Sequence, residues 1–402
     1  MISVAEALER ITGAFAPLPL ETVALTDALG RALGADVVAR MTQPPVAVSA
    51  MDGYAVRADD TAASPVTLRV VGEAPAGGAY GGRLAAGEAV RIFTGGPVPD
   101  GANAIVIQES TDVGDGTVTV REGVAPGRYV RRAGLDFEAG WTGLRAGHLL
   151  SARDIGLAAA MNHPWLKVRR TPRIAVLTTG DEIVMPGEMV GPHQIVSSNT
   201  LAMEAALKAF GAEPVNLGIA PDDSEALRRL AAGARGADLL ITTGGISVGD
   251  HDIVRQALGE DGFTLDFWKI AMRPGKPMAF GRLGETPLLG LPGNPVSAVV
   301  CALIFAQPAI ATMLGLDNVG MTERARLGCD LSANDERQEF LRSHLRDEPD
   351  GSVATPFQTQ DSSMLSDLAR ADCLVVRPPH AKAAAAGESV EIRRFGPGRL
   401  NL

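Results

Sequence analysis

The chain has 402 residues, 46% of them hydrophobic and 21% charged, and a formal net charge of −10. This length predicts about two to four globular domains, because a single hydrophobic core rarely grows so large. The acidic balance argues against general nucleic-acid binding, and the three scattered cysteines, without a CxxC or Cys/His cluster, argue against a zinc site or a disulfide framework.

Residues 3–14 form the first predicted element, an amphipathic helix with Ser3 as N-cap and Glu6 completing a capping box. A second short helix is predicted over 26–33. Because the first helix carries acidic residues, it does not resemble a signal peptide. The longest apolar runs, such as 296–304, are shorter than a membrane span. We therefore expect a cytoplasmic protein without a membrane partner.

The composition of the middle of the chain predicts a β-rich domain over 44–147. Short runs of β-forming residues alternate there with Gly/Pro turns, which is typical of an all-β module. A helix is predicted next, over 154–161, within a helical linker of 148–172; the N-terminal segment covers 1–43. The predicted strands of the inserted domain are 67–71, 89–92, 104–107 and 117–121.

Alternating strands and helices then predict an α/β domain with a parallel, doubly wound sheet over 173–322. A small C-terminal β-domain is predicted over 323–402, with a solvated loop at 381–386. The predicted α/β elements are strands 174–177, 214–219, one at Leu239 and 287–291, and helices 198–210, 224–234 and one beginning near Val296; the terminal strands are 325–331, 339–345 and 390–393.

Three strand ends of the α/β domain carry glycine turns, acids and cations. Ligands of open α/β sheets bind at the carboxyl ends of the strands, so we expect an anion with a metal there, most simply a phosphate-bearing molecule with Mg²⁺. The residues concerned are Thr242, Thr243, Gly244, Gly245, Asp250 and Asp252 after the strand at Leu239, Lys269, Arg273 and Lys276 on the following strand and loop, and Pro292, Gly293, Asn294 and Pro295 after strand 287–291. A further glycine turn with acids ends the first strand of the sheet and comprises Thr178, Gly180, Asp181 and Glu182.

Simpler interpretations stay open for each group. Asp52, before Gly53, is either an Asx-turn residue or a Mg²⁺ ligand. Thr94, before Gly95-Gly96, either ends a hairpin or contacts a phosphate. Asp181 and Glu182 also favour a helix start by charge alone. The acids and cations between Asp238 and Ala298 also fit a surface salt-bridge network. The segment 131–136 fits a solvated turn.

Two common catalytic motifs are absent from the sequence. The six histidines are scattered, and no G-x-S-x-G or G-x-x-x-x-G-K-[ST] motif occurs, which argues against a serine hydrolase and a P-loop NTPase.

Six motifs in order resemble the molybdopterin molybdenumtransferase family, whose eukaryotic relative is the E domain of gephyrin. Each motif alone is moderately specific, and the set covers nearly the whole chain. They are SAMDGYAV (49–56), RIFTGGPVPDGANAIVIQE (91–109), LTTGDEI (177–183), TTGGISVGDHD (242–252), RPGKPMAFG (273–281) and LPGNPVSA (291–298).

The resemblance implies a multidomain α/β fold, with a doubly wound molybdopterin-binding domain, an inserted β-domain and a small C-terminal β-domain. It implies an elongated homodimer with an active site between subunits. It also implies a Mg²⁺-dependent reaction in which adenylylated molybdopterin receives molybdenum from molybdate and AMP leaves. A pterin adenylyltransferase is a further implied partner.

Site residues follow from the resemblance by motif position. Val48-Ser49 stands where the family often has Asn-Ser, and Arg273 stands where the family usually has lysine. An arginine at this position keeps the positive charge but cannot give up a proton. Molybdate is expected between the 273–276 turn and the terminal domain, where Arg342 is a further candidate cation. The implied catalytic residues are Asp52, Thr94, Glu182, Asp222, Asp252, Lys269, Arg273 and Lys276, and Asp136 also matches a position tied to function. The implied cofactor-binding residues are Thr178, Gly180, Thr243, Gly244, Gly245, Ser247, Pro292, Gly293, Asn294, Pro295, Ser362 and Ser363. The implied Mg²⁺ ligands are Asp252 with Asp250 or Asp222.

Two other functions remain alternatives. The chain is either an enzyme or a dimeric scaffold that binds a partner, as the gephyrin E domain does. A pterin adenylyltransferase is the other alternative; such enzymes share the α/β domain but lack the two β-domains. They usually have Thr-Gly where Ile246-Ser247 stands.

Overall fold

The computed structural model describes residues 1–244, 262–316 and 322–396. The chain divides into two compact units. The first unit comprises Met1–Ala35, Ala146–Arg153 and Lys167–Leu402, and the second comprises Asp36–Arg145 and Asp154–Leu166. The second unit is therefore an insertion into the sequence of the first.

Helix α1 (Val4–Gly13) opens the first unit and confirms the predicted N-cap, because Ser3 Oγ accepts a hydrogen bond from the Glu6 N–H at 3.1 Å. The strand β1 (Leu20–Ala24) follows. The predicted helix over 26–33 is wrong, since only the 3-10 turn Leu25–Asp27 forms there. Gly30 has a φ of +69°, and its N–H donates to Leu150 O, so the backbone turns away from a helical path.

The second unit is built on a six-stranded sheet of order β7-β4-β6-β5-β9-β8, in which only β5 and β6 are parallel. Tyr54 and Ala55 of β4 belong to separate apolar clusters, so both faces of this sheet are covered. The predicted β-rich texture is confirmed. Its elements are β2 (Val37–Val38), β3 (Val48–Ser49), β4 (Gly53–Val56), β5 (Val66–Ala74), β6 (Glu88–Ile92), β7 (Ala104–Ile107), β8 (Thr111–Val113), β9 (Thr117–Val120), β10 (Val130–Arg131), β11 (Thr142–Leu144) and the helix α2 (Ala152–Ala160), with 3-10 turns Ala58–Thr61 and Gln108–Ser110.

The α/β domain of the first unit contains a six-stranded sheet of order β16-β13-β17-β21-β20-β18. Its first four strands are parallel, and the hairpin β20–β21 and the edge strand β18 are antiparallel. The elements are β12 (Trp165–Arg169), β13 (Arg173–Thr179), β14 (Ile183–Val184), β15 (Ile195–Val196), α3 (Asn199–Phe210), β16 (Glu213–Ala220), α4 (Ser224–Ala231), the 3-10 turn Ala232–Ala234, β17 (Leu239–Thr243), β18 (Phe263–Trp268), β19 (Met272–Arg273), β20 (Ala279–Leu283) and β21 (Thr286–Leu291).

Helices cover both faces of this sheet, as the doubly wound prediction requires. Ile174 and Val176 pack with Met203 of α3 on one face, whereas Ala175 packs with Leu227 of α4 on the other. This alternation follows from the period of two along a strand.

One continuous helix, Pro295–Leu314, runs through the core and comprises α5 (Pro295–Cys301), a π-helical segment (Ala302–Ala306) and α6 (Gln307–Leu314). It is longer than the apolar run seen in the sequence, and its 20 residues satisfy the length and composition of a membrane span. However, 78% of the apolar window is buried inside the protein, which is the position of a core helix.

The C-terminal strands close into a small barrel, because β23 pairs with both β24 and β25 in the order β23-β24-β22-β26-β25. The strand β19 of the α/β domain adds to the edge of β23. The strands β24 and β25 and the helix α7 were not predicted. The elements are β22 (Glu323–Leu327), β23 (Gln338–Glu348), β24 (Gly351–Pro356), α7 (Leu365–Arg370), β25 (Cys373–Arg377) and β26 (Ser389–Arg394).

Candidate functional site

The turns that follow β13, β17 and β21 meet at the carboxyl edge of the α/β sheet. A Cβ atom added to Gly244 would lie 2.7 Å from Thr179 O, and one added to Gly293 would lie 3.7 Å from Gly244 Cα. Gly244 also has a φ of +82°. The backbones therefore approach so closely that the middle turn needs glycine. This brings together eight of the predicted cofactor-binding residues: Thr178, Gly180, Thr243, Gly244, Pro292, Gly293, Asn294 and Pro295.

A chain of buried hydroxyls supports these turns. Thr178 Oγ1 lies 2.6 Å from Thr200 Oγ1 and 3.0 Å from Thr243 Oγ1. Thr200 Oγ1 is also 2.8 Å from Ser197 Oγ. Thr178 is 4% exposed, so its hydroxyl serves the turn framework. Ser197 and Thr200 were not among the predicted site residues; the polar run that contains them, Ser197-Ser198-Asn199-Thr200, is the signal that could have identified them.

Thr200→Val is expected to destabilise the protein by about 1–3 kcal/mol, because two buried hydroxyls would lose their shared partner. Chemical denaturation would measure the loss. The control is Thr67→Val, which removes one hydroxyl of the exposed Thr67–Thr119 pair, 2.9 Å apart. An equal loss of unfolding free energy in the two variants would contradict a special role for the buried hydroxyls.

Three buried polar atoms beside these turns lack a hydrogen-bond partner within the described ranges: Thr179 Oγ1, Thr242 Oγ1 and Asn199 Oδ1. The Asn199 amide is oriented by its own Nδ2, which donates to Gly293 O at 2.6 Å. Each unpaired buried group costs about 1–3 kcal/mol. Their concentration at one sheet edge indicates a polar ligand site rather than ordinary core packing.

Acidic side chains form the rim after β13 and β16. A Cβ on Gly180 would lie 2.5 Å from Glu182 Oε2, and Asp181 Oδ1 accepts a hydrogen bond from the Asp222 N–H at 3.0 Å. Glu182 and Asp222 are exposed. An adjoining cleft of about 460 Å³ is lined by Gly180, Asp181, Ile183, Met185, Glu188, Thr200, Asn216, Gly218, Ile219 and Pro221.

The predicted residues Gly245, Ser247, Asp250 and Asp252 lie outside the described residues. Over 1–244, 262–316 and 322–396, no group of three or more His, Cys, Asp or Glu residues is arranged to hold a metal ion.

The three predicted cations have different surroundings. Lys269 has a φ of +69°, and its Nζ lies 4.0 Å from the centroid of the Trp268 ring. Arg273 donates from Nη1 to Glu339 Oε1 at 3.1 Å and from Nη2 to Asp335 Oδ2 at 3.3 Å. Lys276 is exposed. The charge of Arg273 is thus met by two carboxylates of the C-terminal domain.

The loop of Ser362 and Ser363 lies against the turn after β21. Asn294 Nδ2 donates to Ser362 Oγ at 3.0 Å, and the Val296 N–H donates to Ser362 O at 3.1 Å. The Ser363 hydroxyl and N–H both donate to Asp361 Oδ1 and hold the pKa of that carboxyl below its usual value.

Arg342 does not fit the predicted role of an anion-binding cation. It is 1% exposed, and its guanidinium donates to Met364 O at 3.0 Å and Thr359 O at 3.3 Å. Burial lowers its pKa. Arg342 therefore holds the serine loop in place from beneath.

The second unit contains the remaining predicted site residues. Asp52 Oδ1 accepts hydrogen bonds from the Thr94 N–H at 2.7 Å and from Thr94 Oγ1 at 2.8 Å, which lowers the pKa of Asp52. Asp136 is exposed and lines a cleft of about 760 Å³. The other residues around this cleft are Gln43, Pro44, Pro45, Val46, Val48, Gly77, Gly78, Ala79, Gly95, Pro97, Arg131 and Leu135.

Together, the fold and the strand-end cleft define a multidomain enzyme with an α/β ligand-binding domain and two β-domains. Three family regions match in order: the MoeA N-terminal region (domain I and II) over 2–162, a probable molybdopterin binding domain over 175–312 and the MoeA C-terminal region (domain IV) over 324–395. The chain belongs to the molybdopterin molybdenumtransferase family, and is an enzyme of molybdenum cofactor biosynthesis.

Individual relatives agree with this assignment. Molybdopterin molybdenumtransferase 2 of Mycobacterium tuberculosis is 39% identical over 385 residues, which cover 92% of this chain and 94% of that protein. The Haemophilus influenzae molybdopterin molybdenumtransferase is 34% identical over 94% of this chain and 95% of its own length. The crystal structure of the molybdopterin biosynthesis MoeA protein from Pyrococcus horikosii has a TM-score of 0.85 and 31% identity, covering 98% of this chain and 99% of that one. The predicted family and fold class are confirmed.

Proposed function

We propose that this enzyme inserts molybdenum from molybdate into adenylylated molybdopterin and releases AMP. The observation that carries the proposal is the meeting of three strand-end turns around buried polar atoms that have no hydrogen-bond partner among the described residues. A pterin and a phosphoanhydride present the donors and acceptors that such a site needs. The neighbouring serine loop and Lys276 supply the hydrogen-bond donors and the positive charge that a tetrahedral oxyanion needs.

In this proposal the phosphoanhydride lies across the turn of Thr242 to Gly244. A tight glycine turn lets backbone N–H groups approach phosphate oxygens closely. Asn199 and Thr179 supply polar atoms from the neighbouring turns, and the hydroxyl chain through Thr178 and Thr200 keeps those turns in register. Glu182 and Asp222 form the acidic rim.

Mg²⁺ fits the donor set of this rim. Exposed carboxylates beside a phosphate site are the usual Mg²⁺ ligands, since this ion is commonly held by one or two carboxylates and by substrate phosphates. Asp252, helped by Asp250 or Asp222, would hold the ion; of these three acids, Asp222 lies among the described residues. When bound, Mg²⁺ would neutralise charge on the scissile phosphate.

Molybdate, as the second substrate, is proposed to lie between Lys276 and the loop of Ser362 and Ser363. A lysine ammonium provides charge and three donors, and the Ser362 hydroxyl, which accepts from Asn294, can add one further donor. Asn294 anchors this loop to the phosphate-binding turns through Ser362. The pterin substrate and the molybdate would thereby be held at the same edge of the sheet.

The decisive experiment is release of AMP from adenylylated molybdopterin by the purified protein. We expect release only when molybdate and Mg²⁺ are both present. Release without molybdate would contradict insertion. Consumption of ATP would indicate pterin adenylylation, and an inactive protein that binds a peptide with micromolar or better affinity would indicate a scaffold.

We further propose a cytoplasmic homodimer with the pterin adenylyltransferase as a partner, and the five-segment domain division 1–43, 44–147, 148–172, 173–322 and 323–402. In such a dimer the Asp52–Thr94 pair and Asp136 would serve the reaction as family motif residues. Sedimentation would test the dimer directly.

A further inference from the structure

Arg273 connects the α/β domain with the C-terminal barrel. It lies on β19, which runs parallel to the first residues of β23, with Arg273 opposite Glu339. The Gln338 N–H donates to Ala271 O at 2.9 Å. The guanidinium then forks across the barrel edge to Glu339 at 3.1 Å and Asp335 at 3.3 Å.

The charges around Arg273 are already balanced. Asp335 also accepts hydrogen bonds from Arg337, and these bonds lower the pKa of Asp335 to about 2. Two arginines therefore face two carboxylates, Asp335 and Glu339. The Glu339 side chain is only 13% exposed, so it depends on its partner for charge compensation. An oxyanion at Arg273 would have to compete with both acids for the charge of the guanidinium.

The turn after Arg273 is firmly held. Gly275 packs so closely on α5 that an added Cβ would lie 2.5 Å from Cys301 Sγ. Lys276 O accepts from the Ile270 N–H at 3.1 Å and from the Met278 N–H at 3.0 Å. The position of the Lys276 backbone is therefore tied to that of Arg273.

The barrel has further attachments to the α/β domain. Ser362 bonds to Asn294 and to the Val296 N–H, and Arg393 of β26 donates to Leu303 O at 3.0 Å. Phe340 and Val376 of the barrel also pack in the core cluster of the α/β domain. Arg273 is the attachment that lies beside Lys276 in the chain.

We propose that Arg273 is a positioning residue: it clamps Asp335 and Glu339, which fixes the barrel and its serine loop relative to Lys276, and it does not itself bind the oxyanion. The inference rests on the proposed function of the Lys276 site. Arginine suits this position, where the family usually has lysine, because its planar guanidinium presents donors in a fixed fork, whereas a lysine ammonium is a compact charge on a flexible stem.

Glu339→Gln separates positioning from direct binding. If Arg273 positions the barrel, Glu339→Gln and Arg273→Gln should both raise the molybdate KM by about tenfold or more, with a smaller effect on kcat, and the double variant should resemble either single variant. If Arg273 binds molybdate directly, Glu339→Gln frees the guanidinium and lowers the molybdate KM. That second result would overturn the proposal.

A second readout is independent of turnover. Hydrogen exchange over Gln338 to Leu345 should accelerate in Arg273→Gln and should be partly restored in Arg273→Lys. The matched control is Arg326→Gln, which breaks the Arg326–Glu348 pair of 3.0 Å elsewhere in the barrel; it should leave KM unchanged. Unchanged exchange in Arg273→Gln would overturn the positioning role, whereas wild-type protein without molybdate-dependent turnover would refute only the proposed function.

Discussion

Gly244→Ala is expected to abolish measurable turnover and to destabilise the first unit. The added Cβ would lie 2.7 Å from Thr179 O, a distance that real Cβ atoms do not show, so the turn after β13 or β17 must move. The positive φ of +82° adds a backbone cost of about 1–2 kcal/mol for a non-glycine residue. Denaturant unfolding and the AMP-release assay would measure the two effects.

Gly236→Ala provides the matched control. Gly236 has a nearly identical φ of +80°, but no atom lies within 4 Å of its added Cβ. It should therefore show the backbone cost alone and retain activity. Equal loss of activity in both variants would mean that the close approach at Gly244 is unimportant.

Lys276→Ala should raise the molybdate concentration for half-maximal rate by at least about tenfold, which corresponds to ~1.4 kcal/mol. The reason is that the site would lose its exposed ammonium, while the turns that hold the pterin phosphates stay intact. Steady-state kinetics at varied molybdate, with binding of the adenylylated pterin measured separately, would check this result.

Lys382→Ala is the charge-matched comparison, because Lys382 is an exposed lysine on the long loop of the C-terminal barrel. It should leave the molybdate dependence unchanged. If Lys276→Ala instead weakened pterin binding with the same molybdate dependence, this lysine would serve the phosphates.

Strands β13, β17 and β21 of the α/β sheet were predictable because their signal is local. Each is a short apolar run that ends at a glycine turn, and the alternation with helices specifies parallel pairing. The antiparallel strand β20 was not predicted. For the same reason the meeting of Gly244 and Gly293 followed from topology alone. The inserted sheet was found through its repeated Gly/Pro punctuation.

The roles of individual side chains were less predictable because they depend on distant partners. Arg342 resembles a free cation in the sequence, but carbonyls 17 and 22 residues away enclose it. Arg273 finds its acids 62 and 66 residues further along the chain. The prediction of a helix over 26–33 is wrong for the same reason, because Ala32 pairs with Leu149 and the Gly30 N–H donates to Leu150 O.

The two-residue strand β19 has a consequence for how the protein unfolds. It is covalently part of the α/β domain but lies in the sheet of the C-terminal barrel. Melting the barrel would strip β19 of its partner and leave the Arg273 guanidinium and Glu339 apart. Loss of order in one domain therefore raises the free energy of the other, and the two should melt in a single cooperative transition although their family regions are distinct.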